Sequence, residues 1–186
     1  MTDEKHPSPN EWYKLGPFTI FDVETTGMSP ALHRIVEIAA VRIAKDGALS
    51  KFHSLINPGC KIPSRLTAVH GITDEMVESA EFFSDVGGKF LLFATDSTLV
   101  AHNAKFDLGF LQESLSREFL SLWNGKTLDT IPIIKRAYPG LPSYALQNLR
   151  YSLSLGSGDE EAHRAFADVE LTLEAFSMAM KRLLAV

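Results

Sequence analysis

Three segments near the start of the chain concentrate or alternate apolar residues in the way that β-strands do. They are Phe18 to Glu24, Ile35 to Ala44 and Leu49 to Ile56. An Asp-Gly pair separates the last two segments, and such a pair is typical of a hairpin turn. The pattern therefore predicts a meander of three strands.

Further along the chain the apolar spacing is mostly helical, interrupted by two short strands. The predicted helices are Asp74 to Ser79, Phe82 to Phe93, Ala104 to about Ser116, smaller helices within Ile131 to Arg150, and about Arg164 to Leu184; the predicted strands are Thr98 to Ala101 and one ending near Asp129. Thr73 and Asn103 are placed to act as N-caps. This order of elements predicts an α/β fold in which helices flank a mixed five-stranded sheet.

Length and composition indicate a single domain. The chain has 186 residues, 45% of them hydrophobic, which is enough for one sizeable core. The proline-rich, polar residues 1–15 bury little, so we expect a flexible leader there and a single domain over residues 16–186. One cysteine, Cys60, excludes an internal disulfide, and no segment resembles a signal peptide or a membrane span. These features favour a cytoplasmic protein with no membrane partner.

The formal net charge of −5 excludes one class of nucleic-acid-binding protein. A protein that coats long nucleic acid needs a broad basic face. An enzyme that binds only a few nucleotides at a strand end does not, so the charge limits the mode of binding and not the substrate.

Four acids and one histidine are the candidate chemical groups. They are Asp22 and Glu24 near the end of the first strand, Asp107 in a first helical turn, and His163 with Asp168 near the last helix. Carboxylates gathered in this way repel one another unless a cation lies between them, and oxygen ligands favour Mg²⁺ or Mn²⁺. Two such cations beside a histidine base predict metal-assisted hydrolysis of a phosphodiester.

Each of these motifs has a simpler interpretation when it is taken alone. Asp22 and Glu24 share one face of a strand, but a solvated strand end would also carry two acids. Asp107 could serve only the dipole of its helix. His163 and Asp168 are about 140° apart around a helix, so they converge only if His163 lies in the preceding loop; a surface histidine is the alternative.

Residues near Asp107 have the chemistry of a nucleotide site. His102 and Asn103 can donate hydrogen bonds from the loop before the helix. Phe106 offers a face on which a base can stack, although it also suits the core.

Taken together, the motifs resemble the DnaQ-like 3′–5′ exonucleases, the DEDD superfamily with a histidine in its third motif (DEDDh). The resemblance runs from about Phe18 to Leu184, and the proofreading epsilon subunits of bacterial DNA polymerase III are similar. It rests on FDVETTG, HGITDEM, LVAHNAKFDLGFL, Leu128-Asp129-Thr130 and HRAFADVELT. It implies a ribonuclease H-like fold and a two-metal reaction that releases nucleoside 5′-monophosphates.

The resemblance also implies roles for the matching residues. Asp22, Glu24 and Asp168 would hold the first of two Mg²⁺ or Mn²⁺ ions. Asp22 would share the second with Asp107, and His163 would be the general base. The residues around the terminal nucleotide would be Thr25, Met28, Val69, His70, His102, Asn103 and Phe106.

Several alternatives stay open at this point. The expected substrate is the 3′ end of single-stranded nucleic acid, with DNA favoured; an exoribonuclease is the alternative, and the sequence around Thr25 does not show whether a 2′-hydroxyl fits. A non-catalytic nucleic-acid-binding module is a more distant alternative, which the presence of all five chemical residues disfavours. The chain ends at Val186, just past the last helix. We therefore do not expect a stable DNA polymerase partner, because proofreading subunits hold theirs through a further tail.

Overall fold

The computed structural model describes residues 7–156 and 164–185. Its centre is a five-stranded mixed sheet in the order β3-β2-β1-β4-β5. The strands are β1 (Phe18–Thr25), β2 (Ile35–Ile43), β3 (Leu49–Leu55), β4 (Thr98–Ala101) and β5 (Thr127–Asp129). β1 pairs antiparallel with β2 and parallel with β4, and β5 continues the parallel half. The α/β class and the mixed five-stranded sheet predicted from the sequence are confirmed.

Helices cover both faces of this sheet. They are α1 (Ser64–His70), α2 (Asp74–Val77), α3 (Phe83–Phe93), α4 (Ala104–Arg117), α5 (Thr130–Ala137), α6 (Leu146–Ser152) and α7 (Ala165–Leu184). On one face Phe21 of β1 packs in a cluster with Phe90 of α3 and Phe110 of α4. On the other face Ile20 packs in a cluster with Phe176 of α7. Because the central strand is covered on both sides, its alternating residues are nearly all buried.

The parallel half of the sheet determines where functional side chains can converge. β1, β4 and β5 run in the same direction, so their carboxyl ends lie at one edge of the sheet. Glu24, His102 and Asp129 lie at or directly after those ends. In open α/β sheets this edge is the usual place for a ligand.

No helix in the described part of the chain is long and apolar enough to cross a membrane.

The expected leader is wrong for residues 9–15. Pro9–Leu15 forms a 3₁₀ helix, and Trp12 is only 3% exposed. Its ring lies 5.7 Å from the Phe18 ring and 5.3 Å from the Phe176 ring, measured between centroids. Trp12 packs between β1 and α7, and the polar, proline-rich composition of its segment did not indicate this burial. Residues 1–6 lie outside the described part, and a single domain over residues 16–186 stays a prediction.

Two local predictions also differ from the structure. Helix α1 was not predicted; Pro63 occupies its N-cap position. Asn103 does precede α4 but makes no side-chain cap, since its backbone is left-handed with φ of 65°. Thr73 acts as predicted: its hydroxyl accepts a hydrogen bond from the Met76 N–H at 3.4 Å. The loop predicted at residues 156–158 falls largely outside the described residues.

Replacing Trp12 by alanine tests whether the 3₁₀ helix is part of the folded domain. Loss of a buried tryptophan that packs against two phenylalanines should lower the free energy of unfolding by about 3–5 kcal/mol. Leu15→Ala is the control, because Leu15 is 47% exposed and should cost less than about 1 kcal/mol. Denaturant titration of both variants measures the difference in the free energy of unfolding. Equal small effects in the two variants would instead support a flexible leader over these residues.

Candidate metal centre

Three carboxylates meet at the carboxyl edge of the sheet. Asp22 and Glu24 come from β1, and Asp168 comes from the first turn of α7. One oxygen from each can be chosen so that all three lie within 4.8 Å of one another. The sequence placed the first two on one strand face, but only the packing of α7 against β1 adds the third.

Asp107 lies beside this group and is held by the backbone of β1. It is 3% exposed in the first turn of α4, and its Oδ1 accepts a hydrogen bond from the Val23 N–H at 3.1 Å. Val23 is the residue between Asp22 and Glu24. The contact therefore fixes the start of α4 against the strand that carries the other two acids.

The acids raise one another's pKa. Burial raises the pKa of Asp22 well above its ordinary value, and the charges of Asp107, Glu24 and Asp168 raise it further. Burial and the charge of Asp168 raise the pKa of Glu24 to about 8. Burial likewise raises the pKa of Asp107 to about 8, although the hydrogen bond from Val23 opposes it. Without a counter-charge these groups hold protons near neutral pH.

Glu37 is a buried acid whose pKa is lowered instead of raised. It lies directly across from Glu24 in the β1–β2 register and is fully buried. Burial acts to raise its pKa, but hydrogen bonds from His53, Arg164 and the Ala165 N–H together lower it. Glu37 is therefore the acid that the protein itself neutralises, whereas Glu24 is not.

The contacts of Glu37 also fix the start of α7. Its Oε1 accepts from the Arg164 guanidinium at 2.9 Å and from His53 Nε2 at 2.8 Å. Its Oε2 accepts from the Ala165 N–H at 3.1 Å, as an N-cap side chain would. Arg164 makes no side-chain cap of its own. A carboxylate on β2 thus positions the helix turn that carries Asp168.

Asp129 has a similar role for α4 and α5. Its carboxylate accepts hydrogen bonds from the backbone N–H groups of Asn103 at 3.3 Å, Ala104 at 3.2 Å and Ile131 at 2.8 Å. It therefore supplies the cap that the Asn103 side chain does not. Because Asp107 lies in the first turn of α4, Asp129 contributes to its position.

Both histidines predicted to contact the nucleotide are engaged within the fold. His102 Nε2 donates to the Tyr144 carbonyl at 2.8 Å, which leaves Nδ1 to accept from the Thr130 hydroxyl at 2.8 Å. His70 is 1% exposed, and its Nδ1 accepts from the Ile72 N–H at 3.1 Å. Burial lowers the pKa of both rings. A direct contact of either histidine with substrate stays a prediction.

The other predicted nucleotide residues differ in exposure. Met28 is 75% exposed, Val69 is 51% exposed, and Asn103 is also exposed. Phe106 is half-buried against Phe110, with ring centroids 4.9 Å apart. Thr25 is buried, and its hydroxyl donates to the Gly27 carbonyl at 2.6 Å. His163, the predicted base, lies outside the described residues.

Three residues that position the acids were not identified from the sequence, and the signals for them differ. A glutamate inside the apolar run of β2 was a visible sign that Glu37 needs a buried partner. Asp129 was noted only as a strand-ending residue. Gln147 donates to Asp168 Oδ1 at 2.8 Å, and nothing in the spacing of the sequence indicates this contact.

The donor set fits a hard divalent cation. The three clustered groups, Asp22, Glu24 and Asp168, offer only carboxylate oxygens, which Mg²⁺ and Mn²⁺ prefer over the sulfur and nitrogen ligands typical of zinc. The raised pKa values of Asp22 and Glu24 show a deficit of positive charge that such an ion would correct.

Comparison with known proteins gave matches over most of the chain. A family model described as "Exonuclease" (RNase T) matches residues 19–176. The "DNA polymerase III subunit epsilon" of Treponema pallidum is 37% identical over 162 residues, which cover 86% of this chain and 74% of that protein. A "DNA polymerase III subunit epsilon-like protein" of Rhodobacter capsulatus is 40% identical over 164 residues, covering 86% of this chain and 23% of that protein.

A solved structure gives the same picture for the fold. Exonuclease X in complex with 5′ overhanging duplex DNA is 26% identical, with a TM-score of 0.67, covering 89% of this chain and 90% of that one. Several of the curated relatives are much longer, since the chain spans less than a quarter of their length.

Proposed function

The chain belongs to the exonuclease family whose model matches residues 19–176, and on that premise we propose that it removes nucleotides from the 3′ ends of single-stranded DNA with two Mg²⁺ or Mn²⁺ ions. The observation that carries the proposal is the approach of Asp22, Glu24 and Asp168 oxygens to within 4.8 Å. The product would be a nucleoside 5′-monophosphate.

The carboxylates divide between the two ions in this proposal. Asp22, Glu24 and Asp168 would hold the first, while Asp22 and Asp107 would hold the second. Bound there, divalent ions would stabilise the negative charge on the attacking and leaving oxygens of the phosphate. The protein's own task is to hold the four acids in place, which the hydrogen bond from the Val23 N–H and the Glu37-anchored start of α7 support.

Proton transfer is assigned to His163 on the basis of the sequence. An imidazole with a reference pKa of about 6.5 can accept a proton from the attacking water near neutral pH. His163 directly precedes Arg164, whose bond to Glu37 anchors the end of that segment. This anchor supports a base near Asp168.

The choice of DNA rests on similarity. Exonuclease X, 26% identical over most of the chain, is described in complex with DNA. Exposed Met28 and Val69 suit contact with a terminal base without reading its edge, so we expect weak sequence preference. Against the expectation drawn from the end of the chain, the polymerase III names of the two relatives extend the proposal to a replicative polymerase as a partner. The assays below do not require that partner.

Matched 3′-labelled DNA and RNA oligomers test the proposed activity directly. The DNA strand should release labelled mononucleotide at the earliest times, and excess chelator should stop the reaction until Mg²⁺ or Mn²⁺ is restored. Faster degradation of RNA would transfer the proposal to an exoribonuclease. Early internal fragments, or full activity in chelator, would contradict it.

Two alanine variants separate the proposed base from the proposed shared ligand. His163→Ala removes a proton acceptor but no metal ligand, so the rate should fall about 10²–10⁴-fold while Mn²⁺ binding changes little. Asp22→Ala should lower Mn²⁺ affinity and rate together.

The pH dependence provides the control for this comparison. The wild-type rate should rise through the imidazole range and then level, and that rise should flatten in His163→Ala. Near-normal turnover of His163→Ala would remove His163 from the base role and leave the metal centre untouched.

A further inference from the structure

Asp168 has a neutral hydrogen-bond donor from a neighbouring helix. Gln147 in α6 donates from Nε2 to Asp168 Oδ1 at 2.8 Å, and Asp168 itself is 9% exposed. A carboxylate can turn about its Cβ–Cγ bond, and turning changes which oxygen faces a metal. A donor fixed on Oδ1 restricts that rotation.

Gln147 is itself well anchored. Leu149, two residues later in α6, is fully buried and packs in one cluster with Leu171 and Ala175 of α7. Before α6, the Tyr144 carbonyl accepts the hydrogen bond from His102 Nε2 at 2.8 Å. The backbone that carries Gln147 is therefore fixed on both sides.

The anchor on Tyr144 links the two helices that bring acids to the site. His102 lies in the turn that leads into α4 and Asp107, whereas Gln147 contacts Asp168 on α7. One hydrogen bond and the four backbone residues from Tyr144 to Gln147 connect the two. The segment that carries Gln147 is thus fixed to the carboxyl edge of the sheet.

An amide is the donor that suits this place. A lysine or arginine would neutralise Asp168 and compete with a cation for it, and a glutamate would add charge to a site where acids already raise one another's pKa. An amide N–H favours the ionised carboxylate without a charge of its own.

We propose that Gln147 is a positioning residue that orients Asp168 for metal coordination. The inference rests on the proposed function, because it assigns Asp168 to the metal. Hydrogen-bonding partners of metal ligands typically contribute 10–100-fold to metal affinity or activity. The alternative is that the contact only joins α6 to α7.

Mn²⁺ binding to the full chain without substrate distinguishes these two roles. In Gln147→Met, which keeps the length of the side chain but loses the donor, the dissociation constant should rise about 10–100-fold. Gln147→Glu should raise it at least as much. Asn148→Ala is the matched control, since Asn148 is an exposed neighbour whose side chain donates to the Ser143 hydroxyl at 2.9 Å, and Mn²⁺ affinity should be unchanged.

Turnover provides the second measurement. Gln147→Met should need more metal for half-maximal rate, should recover at saturating Mn²⁺, and should keep the wild-type KM for the oligonucleotide. Wild-type Mn²⁺ affinity in folded Gln147→Met would overturn the inference, whatever its thermal stability. Failure of the wild-type protein to cleave DNA would instead contradict the proposed function, because the Mn²⁺ binding comparison does not depend on cleavage.

Discussion

Repulsion between carboxylates at one edge of the sheet is the constraint on which the rest of this structure depends. Asp22, Glu24 and Asp107 all have raised pKa values, so folding gathers acids that would separate if they were free to move. Two of them are fixed because β1 is the central strand, buried on both faces. Asp107 is fixed by the Val23 N–H. The fold thus holds mutually unfavourable acids together at the end of its central strand.

The contrast between Glu24 and Glu37 shows how the protein treats that charge. The two side chains are opposite each other in the β1–β2 register. Glu37 accepts hydrogen bonds from His53, Arg164 and a helix N–H, and these lower its pKa. Arg164 lowers the pKa of Glu24 only as a minor contribution, and that pKa still reaches about 8. A buried acid with its own partners positions α7, whereas the acids at the edge are left for a ligand, which is how a preorganised metal centre differs from a structural ion pair.

The sequence identified the acidic site residues better than it identified the hydrogen bonds that position them. Strand alternation and helical spacing predicted the five strands and the long helices, and the motifs predicted an exonuclease family; both predictions are confirmed. Three Asp and Glu ligands do converge as expected. The burial of Trp12 was not predicted, because a single aromatic residue in a polar segment produces no hydrophobic periodicity. Asp129 and Gln147 were missed because their contacts join residues more than 20 positions apart, which only tertiary packing brings together.

Proton release on metal binding tests most directly whether this edge is a metal centre built on raised pKa values. Mn²⁺ binding would be followed by calorimetry at pH 7 in two buffers of different ionisation enthalpy. Groups with a pKa of about 8, as for Glu24 and Asp107, are mostly protonated at pH 7, and a metal requires them ionised. The account therefore predicts net release of protons, which should diminish as the pH rises above about 8 and should be smaller in Glu24→Gln. Identical binding heats in the two buffers at pH 7 would contradict it.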